Sequence, residues 1–493
     1  MWKFSLVALV ALVLGACNSH QQQFTVAITN EVINPNYIGN GVQWDAYPEA
    51  EIWGAAVSDD DWNTLYKRLD FMKPNYVRCL INSPFRYFDA ETGAYDRTRN
   101  IESLARLLQY CQDNNITVLF GEFNPPTWDM KDDPRWIAMA ADYLNYLVND
   151  LGFSCIKYYN LFNEPDGNWA STNGDFYLWK KMIYAFHDEM QKYPGLSEQV
   201  QIAGPDIVKD YNNSASPYQS HEWVEQTAKQ MDDVIGLYDI HAYPGQHQVR
   251  SGAFAEAIKI YKAQVPADKQ IIFGEAGYKY WRAEDSILMQ EYERRAEAHP
   301  NTKGSDSNML VYDFFYGLDM PLLAMEVMNG GYSAVAAWML DDAMHSQNDA
   351  GNTEDIKLWG MWNILGEEVF GMPEEEEIRP WFYSWSLMCR YFPGGTDIVR
   401  VEYDDQPGVR VVSGVFQDKR TIALVNFSDN DYDVSLTLPE AFKNGKLYFY
   451  VEPDRRKDEN GFPVPVFTGV EFNKDFSIQL SNQSFVLLTN IEY

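Results

Sequence analysis

The chain is poor in positive charge, in histidine and in cysteine, and each shortage removes a class of function. Lysine and arginine number 39 against 71 aspartate and glutamate, a net charge of −32 over 493 residues. Phosphate backbones and anionic membrane surfaces are bound by clustered Lys and Arg, so nucleic acid is not an expected partner. The 7 histidines form no HxH or HExxH pattern, which disfavours a metal hydrolase, and no cofactor is expected. There is no GxSxG elbow and no glycine-rich loop to cradle a phosphate. Beyond the N-terminus no segment reaches the ~18 to 20 uninterrupted apolar residues that a membrane span requires. Of 5 cysteines, Cys79, Cys111, Cys155 and Cys389 lie inside apolar runs without a CxxC pair. They read as buried thiols acting as small hydrophobes. An oxidising compartment would allow one disulfide among them, with no pairing legible.

What is present starts with a processing signal. Lys3 precedes an apolar run from Phe4 to Leu14, followed by Gly15-Ala16-Cys17. This reads as a secretory signal over residues 1–17. Its end resembles the bacterial lipobox, which makes Cys17 the expected lipidated residue and the membrane, through that anchor, an expected partner. A multiply acylated cysteine anchors stably, because acyl chains contribute about 0.8 kcal/mol per buried CH₂. An exported protein held on the outer membrane follows, on either its periplasmic face or the cell surface. Residues 18–34 are then a polar tether and a lone strand, Phe24 to Thr29, expected to complete a sheet of the C-terminal domain and so to tie the two domains together.

The remaining length suits one large domain and an accessory one. From residue 35 to 392 strands and helices alternate. The expected strands are Gly39–Trp44, Asn75–Ile81, Thr117–Phe123, the run through Tyr158-Tyr159-Asn160, Val200–Gly204, Tyr238–Tyr243, the run ending in Glu275, and Ser333–Leu340. Between them fall helices such as Asp59–Met72, with Ser58 as N-cap, and Asn308–Met328. Eight such units close a (β/α)8 TIM barrel. After Pro393-Gly394-Gly395 the texture becomes short strands separated by turns, an antiparallel β-sandwich over residues 393–493.

Two stretches of the barrel share one grammar. Tyr158-Tyr-Asn-Leu-Phe-Asn163-Glu164-Pro165 and Ile271-Ile-Phe-Gly-Glu275-Ala-Gly277 each run from an apolar strand into a carboxylate and a breaker. Proline pushes the residue before it towards extended geometry, so Glu164 is expected at the strand tip. A single solvated acid in a turn would be unremarked. Two at the carboxyl ends of the fourth and seventh strands lie where such barrels build their sites, and they can face each other across the mouth. Facing carboxylates suit glycoside hydrolysis, one protonating the leaving group and one attacking the anomeric carbon. Glu122, in Gly121-Glu122-Phe123, is the rival; on the third strand it stands beside Glu164 instead of opposite it, and is expected to be a supporting or core-satisfied acid.

With Arg78 on the second strand, Asn163-Glu164-Pro165 on the fourth, His241-Ala-Tyr243 on the sixth, Glu275 on the seventh and Trp338 on the eighth, the barrel resembles clan A of the retaining glycoside hydrolases. That resemblance implies Glu164 as acid/base and Glu275 as nucleophile. It further implies Asn163 on the sugar 2-hydroxyl, Arg78 and Tyr243 on the nucleophile, His241 in support and Trp338 as floor of the subsite. Asn124-Pro-Pro-Thr-Trp128-Asp-Met-Lys131 resembles the third strand of family 30, and the shared N-terminal strand suits families 30 and 39. The lack of histidine between His20 and His187 speaks against family 5.

The expected activity is therefore a retaining β-glycosidase acting as a monomer on a neutral poly- or oligosaccharide. Trp44, Trp128, Trp169, Trp281, Trp359 and Trp362 fall in or near loops at the strand ends, half of them expected to be buried. Such a surplus of rings suggests several subsites and endo action. An exo-acting enzyme of the clan and a non-catalytic glycan-binding lipoprotein are the alternatives.

Overall fold

The computed structural model describes residues 22–47, 56–280, 282–299, 307–345, 357–404, 408–452 and 455–493; Cys17 and the signal it ends, and Trp281, lie outside them. The chain divides into two units, one formed by Asn36–Gly395 and the other joining the segment up to Pro35 to Thr396–Tyr493. Strand β1 (Gln22–Tyr37) comes first. The apolar runs then form β2 (Gly39–Gln43), β3 (Tyr76–Ile81), β4 (Thr117–Glu122), β5 (Ile156–Asn160), β6 (Gln201–Val208), β7 (Ile235–Ala242), β8 (Gln270–Ala276) and β9 (Ala334–Ala337), which close into a barrel. Each pairs in parallel with the next, and β9 returns to β2 through Gly39↔Ala334 to Val42↔Ala337.

Side chains of a strand alternate between lumen and helix layer, and that period layers the barrel. Tyr76, Leu119, Ala203, Leu237, Ile272, Ala334 and Ala336 form one apolar cluster in the lumen. One step further along the strands, on the same side, come Arg78, Gly121, Asp239, Gly274 and Trp338. The plug below is apolar and the layer above it is charged. Gly274 has no alternative there: a Cβ would stand 2.3 Å from Oδ2 of Asp239. Its own N–H instead donates to Asp239 Oδ1 at 2.7 Å.

The helices follow their sequence signals closely. Asp59–Met72 starts at Ser58, whose hydroxyl accepts from the Asp61 N–H while Asp61 accepts from the Ser58 N–H, and buries Trp62, Leu65, Leu69 and Met72. The helix expected over Asn308–Met328 is instead a 3₁₀ turn, Met309–Tyr312, followed by Tyr316–Asn329. Asp313 breaks it by taking extended backbone and accepting from Arg295 at 2.6 Å and 3.1 Å. Cys79, Cys111, Cys155 and Cys389 are free and buried.

In the second unit β10 (Thr396–Tyr403), β11 (Val409–Phe416), β12 (Lys419–Asn426), β13 (Tyr432–Thr437), β14 (Phe442–Tyr450), β15 (Phe467–Phe472), β16 (Asp475–Leu480) and β17 (Ser484–Thr489) join β1 in a nine-stranded sheet ordered β15-β14-β17-β12-β11-β10-β1-β13-β16. Strands from both ends of that order feed one core, including Phe24, Val26, Leu424, Leu447, Phe472 and Ile478, so the sheet folds over itself as a sandwich. β1 runs parallel to β13, with Phe24 opposite Val434. It is far longer than the expected Phe24 to Thr29, and β15 and β16 were not legible as strands at all. Each buries only a few residues, Phe472 in β15 and Ile478 and Leu480 in β16, so the polar–apolar alternation of Asp475-Phe-Ser-Ile-Gln-Leu480 is present but too short to mark a strand.

Candidate active site

The charged layer is organised by Arg78, which is fully buried and therefore needs partners. Its Nη1 donates to Glu275 Oε1 at 2.5 Å and Gln43 Oε1 at 3.0 Å. Its Nη2 donates to Asn163 Oδ1 at 2.7 Å and Asp206 Oδ2 at 3.0 Å. Four barrel strands and the loop after β5 are thus tied to one guanidinium.

Glu275 sits almost at the end of β8. A register shift between Ile240 and His241 brings it beside His241 of β7. Its other oxygen accepts from the Tyr243 hydroxyl at 2.5 Å, and the His241 ring lies 3.5 Å away. Burial would raise the pKa of Glu275, but the charges of His241 and Arg78 and the Tyr243 hydrogen bond hold it below the ordinary value.

Glu164 arrives by a different route from the one expected. β5 ends at Asn160, and Glu164 takes φ 47°, the left-handed region, where an extended residue before Pro165 was anticipated. That conformation is costly for a residue with a side chain and persists only where its surroundings hold it. They do so here: the Glu164 N–H donates to Asp206 Oδ2 at 3.3 Å, His241 Nδ1 donates to Oε1 at 2.8 Å, and Trp169 Nε1 donates to Oε2 at 2.6 Å. One carboxylate oxygen of Glu164, one of Glu275 and a ring nitrogen of His241 all lie within 4.8 Å of one another.

Behind these groups stand two acids that were not singled out from the sequence. Asp206, just past Pro205 on β6, accepts from Arg78, from Asn160 Nδ2 at 2.6 Å and from His241 Nε2 at 3.0 Å. Both ring nitrogens of His241 therefore donate to carboxylates. Burial disfavours its charge, yet Glu275 and Asp206 raise its pKa well above 6.5 and hold it as imidazolium. Burial would raise Asp206 too, but Arg78 and His241 draw it well below the usual carboxylate range. Asp239 goes the other way, raised by burial and by the Asp206 charge, and is neutral. Two cations, Arg78 and His241, thereby balance the two anions Asp206 and Glu275 without calling on Glu164. The sequence signal was a charged residue inside an apolar strand, Tyr238-Asp239-Ile240, and an acid directly after the Val200–Gly204 run.

The remaining expected site residues separate by burial. His241 is fully enclosed, so it acts through Glu164 and Asp206 and has no face for a ligand. Trp44 is equally enclosed; its Nε1 donates to the Tyr47 hydroxyl at 3.3 Å and its ring meets Tyr110 edge-on. It is a packing residue, which corrects its expected place on a sugar. Trp359 and Trp362 are buried as well, the latter donating to Asp341 at 2.9 Å. Trp128 at 56% and Trp169 at 43% exposure are the open rings among those expected and described. Trp338, 6% exposed, lies against His345 with ring centroids 5.2 Å apart. Glu122 faces the helix layer, where Tyr87, Tyr159 and Trp136 donate to it at 2.6, 3.0 and 3.1 Å. Burial outweighs those bonds and pushes its pKa up to about 7. It is a core-satisfied acid, as its strand position implied.

Barrel and sandwich together make the fold seen in solved glycoside hydrolases of clan A. Among these is a GH30 endoxylanase from Clostridium papyrosolvens C71, with TM-score 0.60 and 14% identity, the alignment covering 95% of this chain and 99% of that one. A GH39 enzyme from Xanthomonas axonopodis pv. citri matches with TM-score 0.60, 11% identity and 96% and 97% coverage. A monomeric β-xylosidase from Caulobacter crescentus CB15 matches with TM-score 0.60, 10% identity and 95% and 99% coverage. At these identities the likeness is one of fold. No family model matches the chain, and no curated protein does.

Proposed function

We propose that the protein is a retaining β-glycosidase in which Glu275 is the nucleophile and Glu164 the acid/base. The observation that carries this is the pair itself: oxygens of the two carboxylates within 4.8 Å, one carboxylate held ionised by Arg78 and Tyr243 and the other open on one side. Retaining enzymes place their carboxyl groups about 5 to 5.5 Å apart, and inverting ones leave room for a water between them. Glu275 attacks the anomeric carbon while Glu164 protonates the departing oxygen. Glu164, now a carboxylate, then takes a proton from the water that cleaves the ester. Asn163, held by Arg78 through its oxygen, retains its amide N–H groups for the sugar.

The substrate of this reading is a neutral β-linked glycan. Two fold relatives are described as an endoxylanase and a β-xylosidase, which makes xylose-configured probes the first to try. The open rings of Trp128 and Trp169, after adjacent strands, support binding on the leaving-group side and hence cleavage within a chain. Incubation with xylan and with aryl β-xylosides should release a ladder of oligosaccharides. Release of monosaccharide alone would replace the open cleft with an exo-acting pocket, and no release from any β-glycan would remove the glycosidase reading.

Export, a lipid anchor at Cys17 and a monomeric state belong to the same proposal. The first two rest on the pattern of residues 1–17, and the last on one fold relative being described as monomeric. Cys17→Ser should move the protein from the membrane fraction to the soluble exported fraction. Retention in the membrane would mean that something other than an acyl chain holds it.

A further inference from the structure

We infer that Trp169 is a positioning residue for Glu164 and forms the wall of the leaving-group subsite, an inference that rests on the assignment of Glu164 as acid/base. Trp169 follows Glu164 by one tight loop. The Gly167 N–H donates to the Glu164 carbonyl at 2.9 Å and turns the chain back on itself. The indole then lies directly on Gly167: a Cβ there would stand 2.4 Å from Cε2, 2.7 Å from Nε1 and 2.8 Å from Cδ2. Only glycine allows that approach. On its other flank Tyr211, just past β6, holds the indole with ring centroids 4.6 Å apart. A tryptophan 43% exposed is thus fixed by three neighbours outside any hydrophobic core, with its N–H directed at one carboxylate oxygen. Ordering a large exposed side chain costs conformational entropy, and here the contact obtained is with the acid.

The two oxygens of Glu164 are not equivalent. Oε1 faces His241, which is fully buried, so no group can approach from that side. The departing sugar oxygen must come to Oε2, where Trp169 is the hydrogen-bonding side chain among the described residues. As the glycosidic C–O bond breaks, the proton passes from Glu164 to that oxygen, and negative charge develops on the carboxyl. Hydrogen bonds to an ionised acceptor are shorter and roughly twice as strong as neutral ones. The Trp169 N–H is therefore worth more at the transition state than before it, which is the condition for raising kcat. The exposed part of the same ring borders the space that the leaving group must occupy. Sugar C–H faces stack on such rings, so leaving-group affinity also runs through Trp169.

The test compares the wild type with Trp169→Phe and Trp169→Ala on phenyl and 2,4-dinitrophenyl β-xylobiosides and on xylohexaose. Trp169→Phe keeps a ring and removes the donor. It should lower kcat for the phenyl glycoside about 10- to 100-fold, and that for the dinitrophenyl glycoside less than about threefold, because only the poor leaving group needs the proton. Trp169→Ala should in addition raise KM for xylohexaose. Equal losses on both aryl glycosides would overturn the positioning role. One readout needs no turnover: in ¹⁵N spectra of the indole N–H groups, the resonance missing from Trp169→Phe should shift in Glu164→Gln. A wild type that cleaves no β-glycoside, yet gives that shift, would refute the acid/base assignment of Glu164, and with it the catalytic role of Trp169, while leaving the contact standing. No shift would refute the contact itself.

Discussion

Glu275→Ala or Glu275→Gly should abolish hydrolysis, by about 10⁴-fold or more, and azide should restore cleavage of activated glycosides. Removing a nucleophile removes the covalent route, and effects of this size accompany loss of a central group in an active site. The vacancy also matters. Arg78 and the Tyr243 hydroxyl, both aimed at the lost carboxylate, remain in place at what were contacts of 2.5 Å. They form a cationic, hydrogen-bonding socket that a small anion can enter. Azide bound there attacks the anomeric carbon from the face Glu275 used, expelling the aryl oxide and giving a glycosyl azide of inverted configuration. Rescue with Glu122→Ala instead would place the nucleophile on the wrong strand. The geometry argues against that, because Glu122 faces Trp136 and Tyr159 in the helix layer. The pH dependence follows from the same contacts. Glu275 has a folded pKa below its ordinary value, so its ionised form and the ion pair it makes persist above that ordinary value and are lost only as pH falls through the lowered one. Activity should extend into mildly acid solution, and an acid limb at or above the ordinary glutamate value would contradict the hydrogen-bonding seen around Glu275.

The barrel was legible because its signals are local. Each strand is a short apolar run ended by glycine, proline or a polar residue, and Ser58 with Asp61 announces a helix start that the structure keeps. Glu164 and Glu275 were legible for the same reason, as carboxylates at the ends of such runs. What escaped depends on long-range contact. Asp206 and Asp239 have meaning only once β6 and β7 lie side by side with Arg78 across the lumen. The left-handed backbone of Glu164 has its N–H held by Asp206, which lies 42 residues away in the chain. Which tryptophans face solvent was equally non-local. Trp44, Trp359 and Trp362 share their loop positions with Trp128 and Trp169 and differ only in what folds over them. In the sandwich the longer apolar runs were readable, while β15 and β16, with only Phe472, Ile478 and Leu480 buried between them, were too brief a signal to separate from turns.

The first product formed should keep the β configuration, and the requirement for Glu164 should depend on the leaving group. Both results come from the same two-step path. Oxygens of Glu164 and Glu275 within 4.8 Å match the closer spacing of retaining sites and not the wider gap that seats a sugar and an attacking water together, so on the proposed assignment the anomeric carbon first bonds to Glu275 as the leaving oxygen departs. Water then replaces Glu275 from the opposite face, and two inversions give net retention. NMR of the reaction before mutarotation sees the anomer directly, and an α product at early times would mean a different pairing of carboxylates. A 2-fluoro xyloside with a good leaving group should trap the ester on Glu275, identifiable by peptide mass. Glu164→Ala then separates the two duties of the acid/base. Phenyl glycosides, which need a proton to leave, should lose about 10²- to 10⁴-fold in kcat/KM. Dinitrophenyl glycosides form the ester without help and should instead stall at its hydrolysis, where Glu164 serves as base, so a burst precedes a slow steady state. Added azide should end the stall by attacking the ester without needing a base, giving a β-glycosyl azide. Azide of opposite configuration from Glu164→Ala and Glu275→Ala is the pattern that assigns one carboxylate to each face of the sugar, and the same configuration from both would show that the roles had been wrongly divided.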